Sequence, residues 1–415
     1  MSSEWNKSLS SRKCENYLIK NIEIHKMNHD QIRHLRSLRL LLSQDKAPLG
    51  FLLAAGCPLS VPNAAGKPLL PDMSGLTQII KKAHIADSPD SPYMRLMEEL
   101  KKAGKNISNL EDVLTYIRSM KEVSSGGGTV RGFSEDELKT LETEICQIIA
   151  SSVTKDLPGE DNSYRRFARW INSIDRNVPI EIFTTNYDLL MEQALEEQCV
   201  PFFDGFSGSR YPFFDIHSVE ENMLPAYWAR LWKLHGSVNW KVVNGGVCRV
   251  SKDILGSPEL IYPSKLKYDQ SRKMPFLALS DKLTDFLLKP HAVMFICGYS
   301  FGDEHVNDTI INALKVNQTA NVVALMYGKV KKPDGTLASP EAVKRSLERP
   351  NLSVWYDDEA IIGAQCREWS KFIDDKNEFA NFNFTKIDDR VTFGDFAAFT
   401  SFLFELIGDH SDADK

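Results

Sequence analysis

Six short apolar runs constrain this chain more than any other feature: Leu49–Gly56, Val178–Phe183, Leu231–Leu234, His291–Cys297, Val322–Tyr327 and Leu352–Trp355. Each is too brief for an ordinary buried helix. Each is apolar at successive rather than alternate positions, the pattern of a strand covered on both faces. Helical text follows several of them, at Asp188–Glu197, Asp303–Val316 and Pro340–Leu347. That alternation predicts an α/β fold, a doubly wound, Rossmann-like parallel sheet. Ligands of such sheets bind in the crevice beyond the carboxyl ends of the strands.

The remaining text is helical. Ile32, Leu35, Leu38 and Leu42 form one face of an amphipathic helix over Asn28–Lys46. From Leu76 to about Ser173 successive apolar faces recur, interrupted by the glycine loop Ser124–Gly128, and Ser134 with Glu137 is a capping box opening a helix through Ile148. This stretch reads as a large helical insertion, about residues 74–176. A tail helix over Thr392–Gly408, capped by Thr392, carries phenylalanines at 393, 396, 399, 402 and 404 and must be buried. The expected division is an N-terminal helical arm (1–46), a ligand-binding domain (47–356) and a C-terminal helical tail (357–415) that is a candidate assembly surface.

Composition narrows the partners. With 50 Lys plus Arg against 56 Asp plus Glu, the net charge is −6, which gives no overall pull toward nucleic acid or anionic lipid. Apolar runs fall short of the roughly 20 residues that span a bilayer, and Met1–Ser11 has no signal-peptide core, so no membrane association and a cytoplasmic location are expected. The seven cysteines include no Cys-x-x-Cys pair, which predicts reduced thiols and no zinc cluster.

Four loops after predicted strands hold most of the polar chemistry: Ala54–Pro58, Thr184–Asp188, Lys233–Ser237 and Gly298–His305. Taken singly, each has an ordinary explanation. A glycine after a strand is a turn, and neither a G-x-G-x-x-G fingerprint nor a P-loop is present, since Pro68 follows Gly66-Lys67. Thr184–Asp188 serves equally as a helix cap, and a lone His235 reads as a packed or surface histidine. Asp303, Glu304 and His305 are adjacent at a helix start, which fits capping better than a shared metal.

In combination, Ala-Ala-Gly-Cys, Thr-Thr-Asn-Tyr-Asp, Leu-His-Gly-Ser and Gly-Tyr-Ser-Phe-Gly-Asp resemble the sirtuin-like superfamily of NAD-binding enzymes. The resemblance covers about Leu49–Trp355 and is nearest to the bacterial sirtuin-like branch of antiviral defence effectors. It implies that NAD is the substrate, that Asn186 holds the nicotinamide ribose and positions water, and that His235 is the catalytic histidine, a base acting through the ribose hydroxyls. Asp188 would orient the nicotinamide amide. Ala55 and Gly56 would approach the pyrophosphate, with Gly298 and Ser300 along the far side of the dinucleotide. Sirtuin deacylases carry four zinc-binding cysteines between the catalytic histidine and the last loop. Here only Cys248 and Cys297 follow His235 up to Gly298, so no zinc is expected and water is favoured as acceptor.

The resulting expectation is an NAD hydrolase (an NAD glycohydrolase) that depletes NAD during phage infection. The roughly sixty residues after Trp355 leave no room for a large sensor domain, so a regulatory partner is implied. By resemblance that partner is a HerA-type hexameric ATPase, and the protein itself is a homo-oligomer. The alternatives are a module that binds NAD or ADP-ribose without turnover, and a zinc-less deacylase or ADP-ribosyltransferase.

Overall fold

The computed structural model describes residues 28–85, 91–105, 107, 110–221, 223–243, 245–250, 275–370 and 392–407. Along them lie β1 (Leu49–Leu53), β2 (Ile180–Thr184), β3 (Phe202–Phe203), β4 (Phe206–Ser207), β5 (Phe213–Phe214), β6 (Ala229–Lys233), β7 (Trp240–Val243), β8 (Gly246–Arg249), β9 (Val293–Cys297), β10 (Asn321–Leu325), β11 (Leu352–Trp355), β12 (Glu359–Ile362) and β13 (Gln365–Glu368). The main sheet has the order β13-β12-β11-β10-β9-β1-β2-β6-β3. From β11 to β3 neighbours pair parallel, while β12 and β13 add an antiparallel edge.

The six apolar runs are therefore strands of one sheet, each within a few residues of its expected position. The first strand becomes the middle one of the seven parallel strands. Its neighbours are in matched register: Leu53 stands opposite both Thr184 and Cys297, and Thr184 stands opposite Lys233. Four carboxyl ends thus stop at one level, and the loops that leave them must share one crevice.

Helices cover both faces. On one side lie α1 (Gln31–Ser43), the insertion helices α2 (Met73–Ile85), α3 (Pro92–Lys102), α4 (Leu110–Ser124), α5 (Glu135–Val153) and α6 (Ser163–Ser173), and α7 (Leu190–Glu197). After the short α8 (Ile216–Glu221), α9 (Phe276–Leu288), α10 (Glu304–Val316) and α11 (Pro340–Glu348) cover the other side. Phe51 and Phe295 face the insertion, and Leu52 and Ile296 face α9 to α11, so β1 and β9 are buried on both sides. The capping box is present: the Ser134 hydroxyl accepts from Glu137 N and the Glu137 carboxylate accepts from Ser134 N. Among the described residues no helix is long and apolar enough to cross a membrane.

Three features depart from the sequence reading. The tail is not wholly helical, because β12 and β13 extend the sheet before it. Its helix, α12 (Phe396–Glu405), is shorter than expected and is capped by Asp395, which accepts from Ala397 N, rather than by Thr392; Gly408 lies outside the described residues. Phe396, Phe399, Phe402 and Leu403 are buried in the protein's own core, against α6, β1 and β9. A second sheet, β4-β5-β8-β7, was not anticipated, since strands of two to four residues leave no periodicity to read. Of the N-terminal arm, only residues from 28 onward are described, and α1 packs into the core through Leu35, Leu38 and Leu42.

Candidate active site

The four loops meet at the carboxyl ends of β1, β2, β6 and β9 around a cavity of about 250 Å³. Six of the seven residues singled out from the sequence border it: Ala55, Asn186, Asp188, His235, Gly298 and Ser300. Gly56 stands behind the wall. Its N–H donates to the Gly298 carbonyl at 2.9 Å, so this glycine joins two loops rather than offering its amide to the cavity.

The loop after β1 is tied down from both sides. Ala54 N donates to Cys297 O at 3.0 Å, and its own carbonyl accepts from Cys57 N at 2.9 Å and from Asn186 Nδ2 at 3.2 Å. Asn186 N donates to the Thr184 hydroxyl at 3.0 Å, so the backbone turn and the amide side chain of Asn186 are both anchored. Buried polar groups in loops need such partners, and here they come from neighbouring strand ends. Cys57 and Cys297 are buried beneath, and burial pushes both thiols up in pKa, which makes them packing groups rather than nucleophiles.

Asp188 precedes α7 and its Oδ1 accepts from Leu190 N, the first residue of that helix, at 3.0 Å. Burial pushes its carboxyl up to about 6, partly offset by the Lys233 ammonium. Lys233 is itself buried, pairs with Glu192 at 2.8 Å and donates to the Asp188 carbonyl. The last residue of β6 therefore holds the loop after β2 from below. Tyr164 of α6 is fully buried near Asn186 and Asp188, and burial holds its hydroxyl well above the ordinary tyrosine pKa.

His235 follows β6 and precedes Gly236, whose φ of +84° turns the chain back. Nε2 of His235 lies 3.1 Å from Oδ2 of Asp303, and the two side chains are 10% and 8% exposed. Asp303 is the expected helix cap: its Oδ1 accepts from His305 N and Val306 N of α10. Its contact with His235 was not visible in the sequence, which shows the cap position but not where the second oxygen points. Tyr299 steadies the same loop by donating to Asp303 O or Asn307 Oδ1, both 2.9 Å away. The insertion contributes an apolar wall, Pro71, Met73, Leu76 and Val153, which no motif announced. Among the described residues no group of three or more His, Cys, Asp or Glu is placed to hold a metal.

The cavity thus combines one imidazole, two carboxyl groups, one carboxamide and glycine-rich backbone with an apolar wall. It can orient a polar ligand and move a proton at His235.

Comparison with curated proteins finds no match. Among solved structures the chain is similar to a complex of Sir2 with p53 peptide and NAD+, at 12% identity and a TM-score of 0.32, covering 75% of this chain and 96% of that one. It is also similar to a Sir2 homolog in complex with NAD, at 12% identity and a TM-score of 0.31, covering 76% and 88%. A third, a structure on the mechanism and regulation of Sir2 enzymes, has 11% identity and a TM-score of 0.34, covering 76% and 95%. Residues 180–354, which supply three of the four site loops, match the SIR2-like domain.

Proposed function

We propose that this protein hydrolyses the N-glycosidic bond of NAD, releasing nicotinamide and ADP-ribose. One observation carries the reading: Asn186, Asp188 and His235 converge on one cavity at aligned strand ends, within a segment that matches the SIR2-like domain.

The chemistry suits those groups. When the bond from ribose C1′ to the pyridinium nitrogen breaks, its electron pair passes to the ring and nicotinamide leaves neutral. The leaving group needs no acid. Positive charge develops on C1′ and the ring oxygen, beside Asp188 and Asp303. Water then bonds to C1′, its proton passing through the ribose hydroxyls to His235. Asn186, held against Ala54, fixes the ribose and the water. Asp188 accepts from the nicotinamide carboxamide, and the Ala55, Gly298 and Ser300 edge of the cavity faces the phosphates. The apolar wall keeps bulk water from the charged intermediate.

An enzyme that exhausts NAD is toxic to its own cell and needs a switch. Within this reading it is a cytoplasmic, homo-oligomeric anti-phage effector, and a HerA-type hexameric ATPase is the switch. The test is nicotinamide and ADP-ribose release from NAD by the full chain, alone and with that ATPase, beside Asn186→Ala. Release that depends on Asn186 supports the hydrolase. Tight NAD or ADP-ribose binding without release in either mixture would replace it with a sensor module.

A further inference from the structure

The loop after β9 bends at a residue that seldom bends. Phe301 has φ +59°, the left-handed region that a bulky side chain enters only where its surroundings hold it there. The bend gives the loop two faces. Ser300 and Gly302 border the cavity on either side of it. The Phe301 ring turns into the core, 2% exposed, and packs on Tyr299 with ring centroids 5.1 Å apart.

Asn307, in the first turn of α10 and also 2% exposed, meets this bend with both ends of its carboxamide. Nδ2 donates to the Phe301 carbonyl at 2.8 Å. Oδ1 lies 2.9 Å from the Tyr299 hydroxyl, which donates to it or to Asp303 O. The helix does not need this side chain, since Asp303 already caps it. Asparagine is also a weak helix former, so its place here is explained by the loop and not by α10.

We propose that Asn307 is a positioning residue of the candidate active site: it holds Phe301 in the left-handed bend and so fixes where Ser300 and Gly302 stand against the ligand. The consequence for binding rests on the NAD reading; the bend does not. Without that hold the loop spends time in the ordinary conformations of phenylalanine, and apparent affinity falls by the fraction of molecules that keep the bend. A bound ligand selects the bent loop again, so KM rises while kcat at saturation stays near its original value.

The discriminating variants change little else. Asn307→Leu keeps the volume and removes both contacts. Asn307→Asp keeps an oxygen toward Tyr299 and, once ionised at about pH 8, removes only the donor to Phe301. Leu314→Ala, at a buried position near the far end of α10, is a control that lowers stability without touching the loop.

The experiment uses the full chain and reads three things: the rate of chymotrypsin cleavage after Phe301, identified by fragment mass, the affinity for ADP-ribose by calorimetry, and the kinetics of nicotinamide release. Both Asn307 variants are expected to be cut several-fold faster at Phe301 and to bind ADP-ribose about 10-fold more weakly, with KM raised and kcat nearly kept. Leu314→Ala should lower the melting temperature and leave affinity and KM unchanged. Asn307 variants that melt lower but keep wild-type cleavage and affinity would overturn the proposal and leave Asn307 as a packing residue. Faster cleavage with unchanged affinity, or an equal loss of affinity in Leu314→Ala, would overturn it as well. Cleavage at Phe301 is read without ligand, so a wild type that neither binds ADP-ribose nor releases nicotinamide sinks the NAD reading and leaves the hold on the bend decided by its own measurement.

Discussion

Gly56 and Gly298 meet backbone to backbone: Gly56 N donates to Gly298 O at 2.9 Å, and a Cβ on Gly56 would lie 2.6 Å from Gly298 Cα. A Cβ on Gly298 would lie 2.5 Å from Cys57 N, and Gly298 also has φ +66°. The loops after β1 and β9 can close on each other only with glycine on both sides. Gly298→Ala should cost about 2–4 kcal/mol, combining the left-handed backbone with a clash that no flexible side chain can relieve. Gly56→Ala should cost somewhat less. Chemical denaturation reads both, and NAD affinity should fall with them, since the two loops form one edge of the cavity.

Asn186→Ala and His235→Ala should each lower nicotinamide release by about 100-fold or more while the protein stays folded. Both residues stand in loops at the strand ends, where truncation opens no core cavity. Steady-state rates beside a thermal melt decide this. Wild-type turnover in either variant removes that residue from the mechanism.

Asp188 makes stability and function pull apart. Its carboxyl titrates at about 6 in the folded protein against an ordinary value of 3.8, so the folded state binds this proton more tightly than the unfolded chain does. Its contribution therefore favours folding at low pH, is lost as pH rises from about 4 to 6, and is flat above that. Asp188→Asn should remove this slope and stabilise the protein at pH 7 by up to about 3 kcal/mol. Nicotinamide release should fall in the same variant. Urea titrations at pH 4, 5, 6 and 7 resolve the slope.

Lys233 and Glu192 form a buried pair, with Lys233 2% exposed and Glu192 14%. Breaking such a pair from one side leaves an uncompensated charge and typically costs about 3–5 kcal/mol. Lys233→Ala should destabilise by about that amount and loosen the loop of Asn186 and Asp188, whose carbonyl Lys233 also holds. The double variant Lys233→Met with Glu192→Gln should cost clearly less than Lys233→Ala. A larger loss in the double variant would contradict the pair.

What could be read from the chain follows from the reach of each signal. Fully buried parallel strands are written as continuous apolar runs, so Leu352–Trp355 falls where it was expected and the other five within a few residues. Four loops were placed at one crevice because parallel strands leave them no other place. The second sheet escaped because Phe206, Phe213 and Trp240 sit in strands too short to alternate. The tail cap was misread by three residues because Thr392 and Asp395 both satisfy the capping preference, and only packing of Phe396 on Tyr164 and Phe167 selects between them. Tyr164 and the wall residues Met73 and Val153 lie in the insertion, distant in sequence from any motif. The direction of the second oxygen of Asp303 depends on a tertiary contact, which no local pattern encodes.

Phe399 lies against both Phe51 and Phe295, so a helix near the end of the described chain covers strands at the middle of the sheet. Among the described elements β1 is made early on the ribosome and α12 last. Until residues 396–405 have emerged, Phe51 and Phe295 lack their contact with Phe399, although α6 already covers Phe51 through Phe167 and Trp170. Final support of the cavity is therefore tied to the docking of α12, and a polypeptide stalled before Phe399 lacks that cover.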